Sequence, residues 1–242
     1  DPLSDGGLAY GLTAHWKFDE GSGGVVSNHV SDQWHGSMRY MVESNWISGR
    51  NGHALWFDSV NDHVAVDQLS SAVVTGAPFT VTALVWQDPQ STSSFSSVVS
   101  DVQLMSSNRW PGFVLRYWRA AARLIGIAGN SRIAISGVAA TNWSAAQLGR
   151  WVDVALAHDG TQVSLYVDGL LVDSALNAFD ASFQSELRMG GGHVNEPEAY
   201  WGGRIDDVRI YRSALGSNEL AAVNDWIGDA DSDGLSNGEE FG

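Results

Sequence analysis

The chain has 242 residues, 44% hydrophobic and 17% charged, the balance of a folded protein with a sizeable core rather than a disordered one. Its net charge of −15 argues against nucleic acid or an anionic membrane surface as the main partner, and no run of about 18 apolar residues is present to span a bilayer. Cysteine is absent, so if a staple is needed it must be something else, such as calcium, and a domain of this size can also do without one. The first residue is Asp1 rather than Met, from which a removed signal peptide or an upstream domain is expected.

Taken in chain order, the elements are strands. "FTVTALVW" (79–86) alternates Phe79, Val81, Ala83 and Val85 against Thr80, Thr82, Leu84 and Trp86, a period of two. From 102 to 152 there is no Asp or Glu, while Arg109, Arg116, Arg119, Arg123, Arg132 and Arg150 fall there. In "NRWPGFVLRYWRAAARLIGIAG" (108–129) these arginines alternate with Trp110, Tyr117 and Trp118. If that stretch makes two adjacent strands, Arg116 and Trp118 share a face. Arginine forks match carboxylate and sulfate oxygens, and aromatic faces stack on sugar rings, so Arg109, Trp110, Arg116 and Trp118 are candidate ligand-binding residues for an acidic polysaccharide. Outer-strand arginines also serve plain solubility and edge protection.

"WVDVALAHDGTQVSLYVDGLLVD" (151–173) reads as three consecutive strands turned at Asp159-Gly160 and Asp168-Gly169. "HVNEPEAYW" (193–201) gathers polar groups and aromatics on a loop, so His193, Asn195, Glu198 and Tyr200 form a second ligand-binding candidate. Glu196 and Glu198 are the nearest approach to a catalytic carboxylate pair, but Pro197 between them argues for a loop. "GRIDDVRIY" (203–211) is a further strand in which period two would turn Asp206 inward with Val208 and Ile210. "SNELAAVNDWI" (217–227) is the one helical pattern, with Ser217 as N-cap and Leu220, Val223 and Ile227 on one face. The fold class expected is all-β, a sandwich or barrel with one short C-terminal helix.

Residues 228–241, "GDADSDGLSNGEEF", have the spacing of a calcium loop. Asp229, Asp231, Asp233 and Glu240 would be side-chain ligands, Leu235 a carbonyl ligand and Asn237 a water-mediated one. An acidic solvated tail is the alternative.

"LTAHWKFDEGSG" (12–23), "GHALWFDSVNDHVAV" (52–66), "RWVDVALAHDGTQVSLYVDGLLV" (150–172) and "GGRIDDVRIYRSALGSNELAAV" (202–223) resemble, in order, the blocks of the laminin-G-like, concanavalin A-like jelly rolls of bacterial extracellular proteins. The tail resembles the acidic repeats of thrombospondin type 3 or dockerin-like segments. The resemblance implies a two-sheet antiparallel jelly-roll sandwich and a division into a lead at 1–7, a jelly roll at 8–224 and a calcium-loop linker at 225–242. The resemblance implies a structural calcium, for which the matching positions are Asp19, Glu20, Asp58 and Asp206. It also assigns Trp16, Trp56, Trp86 and Trp151, which lie in the family-like blocks, to packing. No metalloprotease, nucleophile-elbow or phosphate-loop motif occurs. The expected function is a non-catalytic carbohydrate-binding module of a secreted multidomain protein, monomeric, with a polysaccharide and neighbouring domains as partners. The alternatives are an adhesion or protein-interaction domain of a surface protein, or a glycosidase or lyase.

Overall fold

The computed structural model describes residues 11–50, 52–67, 69, 78–101, 112–129, 136–140, 143, 147–176, 186–192 and 199–224. Strands are numbered in chain order. Sheet 1 runs β14 (Leu170–Leu176), β13 (Gln162–Val167), β12 (Trp151–His158), β7 (Phe79–Gln87), β16 (Gly202–Tyr211), β5 (His53–Asp58) and β4 (Trp46–Ser48), with β1 (Leu12–Trp16) paired to the late part of β16. Sheet 2 runs β11 (Ser136–Ala140), β10 (Arg123–Gly129), β9 (Gly112–Trp118), β8 (Phe95–Ser100), β15 (Leu187–Met189), β6 (His63–Val66), β3 (Gly36–Arg39) and β2 (Val25–Val26). Neighbouring strands are antiparallel, and the two sheets enclose one core, the jelly-roll sandwich that the resemblance implies.

Each sheet puts one side of its alternation into that core. Phe79, Val81, Ala83 and Val85 of β7 meet Val152, Val154 and Leu156 of β12, and Phe113, Leu115 and Tyr117 of β9 close the layer from sheet 2. Trp16 is fully buried there. Full burial of each large side chain contributes about 1.5–3 kcal/mol, the main favourable contribution set against the chain entropy lost on folding. The hairpins follow the Asp-Gly signals. Asp168 and Gly169 take φ of 49° and 73°, the two-residue turn that joins Val167 to Leu170. At the other turn Asp159 Oδ1 accepts from the Thr161 and Gln162 N–H groups.

Three expectations need correction. Trp56, Trp86 and Trp151 are not core residues: they alternate with Leu55, Val85 and Val152, and stand half-buried on the outer side of sheet 1. Asp206 does not share the inward face with Val208. A bulge between Asp206 and Arg209 inserts one extra residue, Asp207 at φ 51°, so that Ile205 and Val208 both point in while Asp206 points out. Helix α1 (Ser217–Asn224) is capped one residue earlier than expected. Gly216 supplies the carbonyl for the Leu220 N–H, and the Glu219 carboxylate accepts from the Gly216 N–H. Leu220 packs with Leu215 on Tyr166 and Tyr211, covering one end of the outer side of sheet 1.

Candidate functional site

The β9–β10 hairpin brings Arg116 and Trp118 onto the outer side of sheet 2, because Leu115 and Tyr117 between them take the core side. Phe95, the first residue of β8, is the register partner of Trp118. The two rings stack with centroids 5.8 Å apart and planes 24° apart, and the Arg116 guanidinium lies 4.5 Å from the Phe95 centroid. Trp118 remains 38% exposed. The result is a cation, a phenyl ring and an accessible indole in one continuous stack, a surface that offers an apolar plane beside a two-pronged donor.

Tyr200 comes to the same end of the same sheet. Its neighbour Ala199 accepts from the Ser97 N–H, and Ser97 is the register partner of Arg116. On the far side Tyr200 stands 6.1 Å from the His63 ring, which is 6.0 Å from Tyr40. Burial pushes the His63 imidazole below its usual range and outweighs the Asn61 carbonyl it bonds. The connecting loops are pinned: Ser59 Oγ and Ser91 Oγ are 2.9 Å apart, Ser93 Oγ donates to the Ser59 carbonyl, and the Ser59 N–H donates to Trp201. The structure therefore joins three of the expected binding residues, Arg116, Trp118 and Tyr200, at one rim, and adds Phe95, His63 and Tyr40. Arg109, Trp110, His193, Asn195 and Glu198, with Glu196, lie outside the described residues.

The expected metal ligands fall into three settings. Asp19 and Asp206 converge on the loop 49–53. Asp206 accepts from the Arg50 backbone N–H, and Asp19 Oδ1 accepts from the His53 N–H at 3.0 Å. A Cβ on Gly49 would stand 2.8 Å from Asp206 Oδ2, and one on Gly52 would collide with Asp19 Oδ1, so both glycines are needed for this approach. Burial, reinforced by the Asp207 and Asp19 carboxylates, pushes Asp206 up to about 9. Glu20 lies apart: its Oε1 accepts from the Ser27 N–H at 2.7 Å, while Oε2 is buried with no hydrogen-bond partner among the described residues. Asp58 is farther still, at the opposite end of β5, where it caps its own turn through the Val60 and Asn61 N–H groups. No three His, Asp or Glu side chains form a metal-holding group among the described residues. Asp19 and Asp206 are the two expected ligands brought together among the described residues, each accepting a backbone N–H of the 49–53 loop, and a hard cation between them would relieve the buried Asp206 carboxylate. Asp229, Asp231, Asp233, Leu235, Asn237 and Glu240 lie outside the described residues.

Next to Asp206 sits a buried ionic cluster. Asp207 bonds His15 Nε2 and the Arg209 guanidinium, each at 2.5 Å. Burial opposes its ionisation, yet Arg209 and His15 outweigh that and hold it down at about 2. Together with Lys17, Asp19, Leu84 and Asp206 these residues line a cavity of about 170 Å³.

The profile of the concanavalin A-like lectin/glucanases superfamily matches residues 58–221. The chain belongs to this superfamily. No curated protein sequence matches it. Among solved structures it is similar to the binding domain of Paraclostridial Mosquitocidal Protein 1 (TM-score 0.71, 12% identity, 93% of this chain and 53% of that one). It is also similar to domain 4 of AbnA, an extracellular arabinanase from Geobacillus stearothermophilus bound to arabinotriose (TM-score 0.61, 19% identity, 88% and 97%). Trypanosoma rangeli sialidase with sialic acid is a third (TM-score 0.62, 17% identity, 88% and 32%). The chain thus spans about half of the first of these proteins and a third of the last. At these identities the likeness is one of superfamily fold, and the site must carry any functional argument.

Proposed function

We propose that this domain is a non-catalytic carbohydrate-binding module of a secreted, multidomain protein, with its principal site at the rim built from Arg116, Phe95, Trp118 and Tyr200. The observation that carries the reading is the Arg116–Phe95–Trp118 stack. It is preformed, backed by a pinned loop cluster, and ends in an accessible indole. A sugar ring would stack on Trp118, and the Arg116 fork would meet a ring hydroxyl or an acidic substituent, giving modest affinity that tethering to a neighbouring domain would multiply. The arabinotriose-bound arabinanase domain of the same fold is in keeping with this reading. A calcium ion between Asp19 and Asp206 would leave Asp206 ionised and tie β1, β16 and the 49–53 loop together, a structural role rather than a contact with the ligand. The calcium loop at 229–240 would belong to the linker towards the next domain.

A second reading, a protein-interaction surface, draws on the exposed Tyr40, Val42 and Val60 near the same rim, which are 74%, 64% and 65% exposed. Affinity electrophoresis across neutral, uronic and sulfated polysaccharides separates the two. Retention by at least one glycan that Trp118→Ala or Arg116→Ala abolishes supports the sugar reading. No retention on any of them refutes it and leaves the protein reading.

A further inference from the structure

The three tryptophans on the outer side of sheet 1 are not scattered. Register places Trp151 of β12 directly beside Trp86 of β7, Trp86 beside Arg204 of β16, and Arg204 beside Trp56 of β5. The four side chains make one row across four adjacent strands, about 14 Å long at the usual strand spacing. All four are half-buried. Trp56 and Trp86 have centroids 6.3 Å apart and planes tilted by 47°, and the Arg204 guanidinium lies 4.7 Å from the Trp86 centroid. Helix α1 covers the opposite end of this face and stops short of the row.

Arg204 is the informative member. Its Nε is buried with no hydrogen-bond partner among the described residues, and none of the ion pairs among those residues includes it. An Nε–H withdrawn from water with no acceptor among the described residues leaves one strong donor of the guanidinium unmet, and an anionic group is a partner that would satisfy it. In a chain of net charge −15, the surroundings of the row are of mixed sign, with Arg50, Arg150 and Arg204 beside Asp153, Asp168 and Asp206. Asp168 is already bridged to Arg150 at 2.8 Å, and Arg50 lies close enough to Asp168 and Asp153 to feel both charges.

We propose that the Trp151–Trp86–Arg204–Trp56 row is a second saccharide surface, one that takes uronic-acid chains: the indoles stack on successive rings and Arg204 grips a ring carboxylate in two-point contact. This surface is separate from the rim on sheet 2, and its test is arranged to keep the two apart. The full chain carrying Trp118→Ala is run in affinity electrophoresis with polygalacturonate and with the same polymer after reduction of its carboxyls. The expected result is retention by polygalacturonate alone, weakened about tenfold or more by Arg204→Gln and by Trp86→Ala. Arg204→Lys should recover only part of it, because a point charge lacks the fork. Thermal melts of each variant show that it is folded, and the mild Arg204→Gln exchange decides the matter should Trp86→Ala not fold. Retention indifferent to Arg204→Gln, equal retention of the reduced polymer, or loss of all retention with Trp118→Ala alone would each overturn the second surface. The last of these would leave the rim reading intact.

Discussion

Asp62 offers a stability test whose sign can be worked out in advance. It has 3% of its surface exposed, receives the Asn45 amide at 2.9 Å, and faces the Asp58 carboxylate. Burial, with Asp58 adding to it, lifts its carboxyl from 3.8 to about 6. An acid raised in the folded state keeps its proton there after the unfolded chain has released it, so unfolding sheds a proton between about pH 4 and 6. Stability therefore falls as pH rises through that window and is flat above it. Each unit is worth about 1.4 kcal/mol, which sets an upper bound near 3 kcal/mol. Buried sites in proteins still respond as if in an effective dielectric of about 20, so about 1–2 kcal/mol is the expected figure. Asp62→Asn keeps the acceptor for Asn45 and has no proton to lose. Urea unfolding followed by tryptophan fluorescence, with chelator present, should find the variant close to wild type at pH 4 and about 1–2 kcal/mol more stable at pH 7.5. A variant destabilised by the same amount at both values would refute the reasoning.

Arg209 is buried and neutralises Asp207, so Arg209→Leu should leave Asp207 with His15 alone and cost about 1–3 kcal/mol, read as a lowered urea midpoint at pH 7. Gly203 has φ 137° and would press a Cβ against the Trp86 carbonyl and the Asp88 N–H, backbone that cannot swing away; Gly203→Ala should destabilise by about 2 kcal/mol or more in the same assay. Calcium should raise the melting temperature of the wild-type domain, and Asp206→Asn should remove most of that increment. An equal increment in wild type and variant would place any calcium elsewhere.

Much of the fold is legible in the strand alternation, because Phe79, Val81, Ala83 and Val85 against Thr80, Thr82, Leu84 and Trp86 leaves no other arrangement for β7. The same alternation already turns Trp86 outward. Assigning Trp56, Trp86 and Trp151 to packing rests on their membership of the family-like strand blocks and passes over their phase. Asp206 is a different case: period two fails at the bulge, and two consecutive aspartates in "RIDDV" are the only local hint that a residue has been inserted. The Arg116–Trp118 face could be read because it is local, whereas Phe95, His63 and Tyr40 reach the rim through pairings between distant strands. Asp58 and Asp206 belong to paired strands, and only the register shows that they sit at different levels of β5.

The central claim is that a sugar stacks on Trp118 at the rim. The most direct measurement is a titration of the ¹⁵N-labelled domain with the oligosaccharide corresponding to the best-retained glycan, following the eleven indole N–H resonances, with Trp118 assigned from a Trp118→Phe sample. The account predicts that the Trp118 resonance shifts saturably and that Arg116→Ala weakens the shift about tenfold. A saturable titration in which Trp118 stays still while other indoles move, or in which none moves, would contradict it.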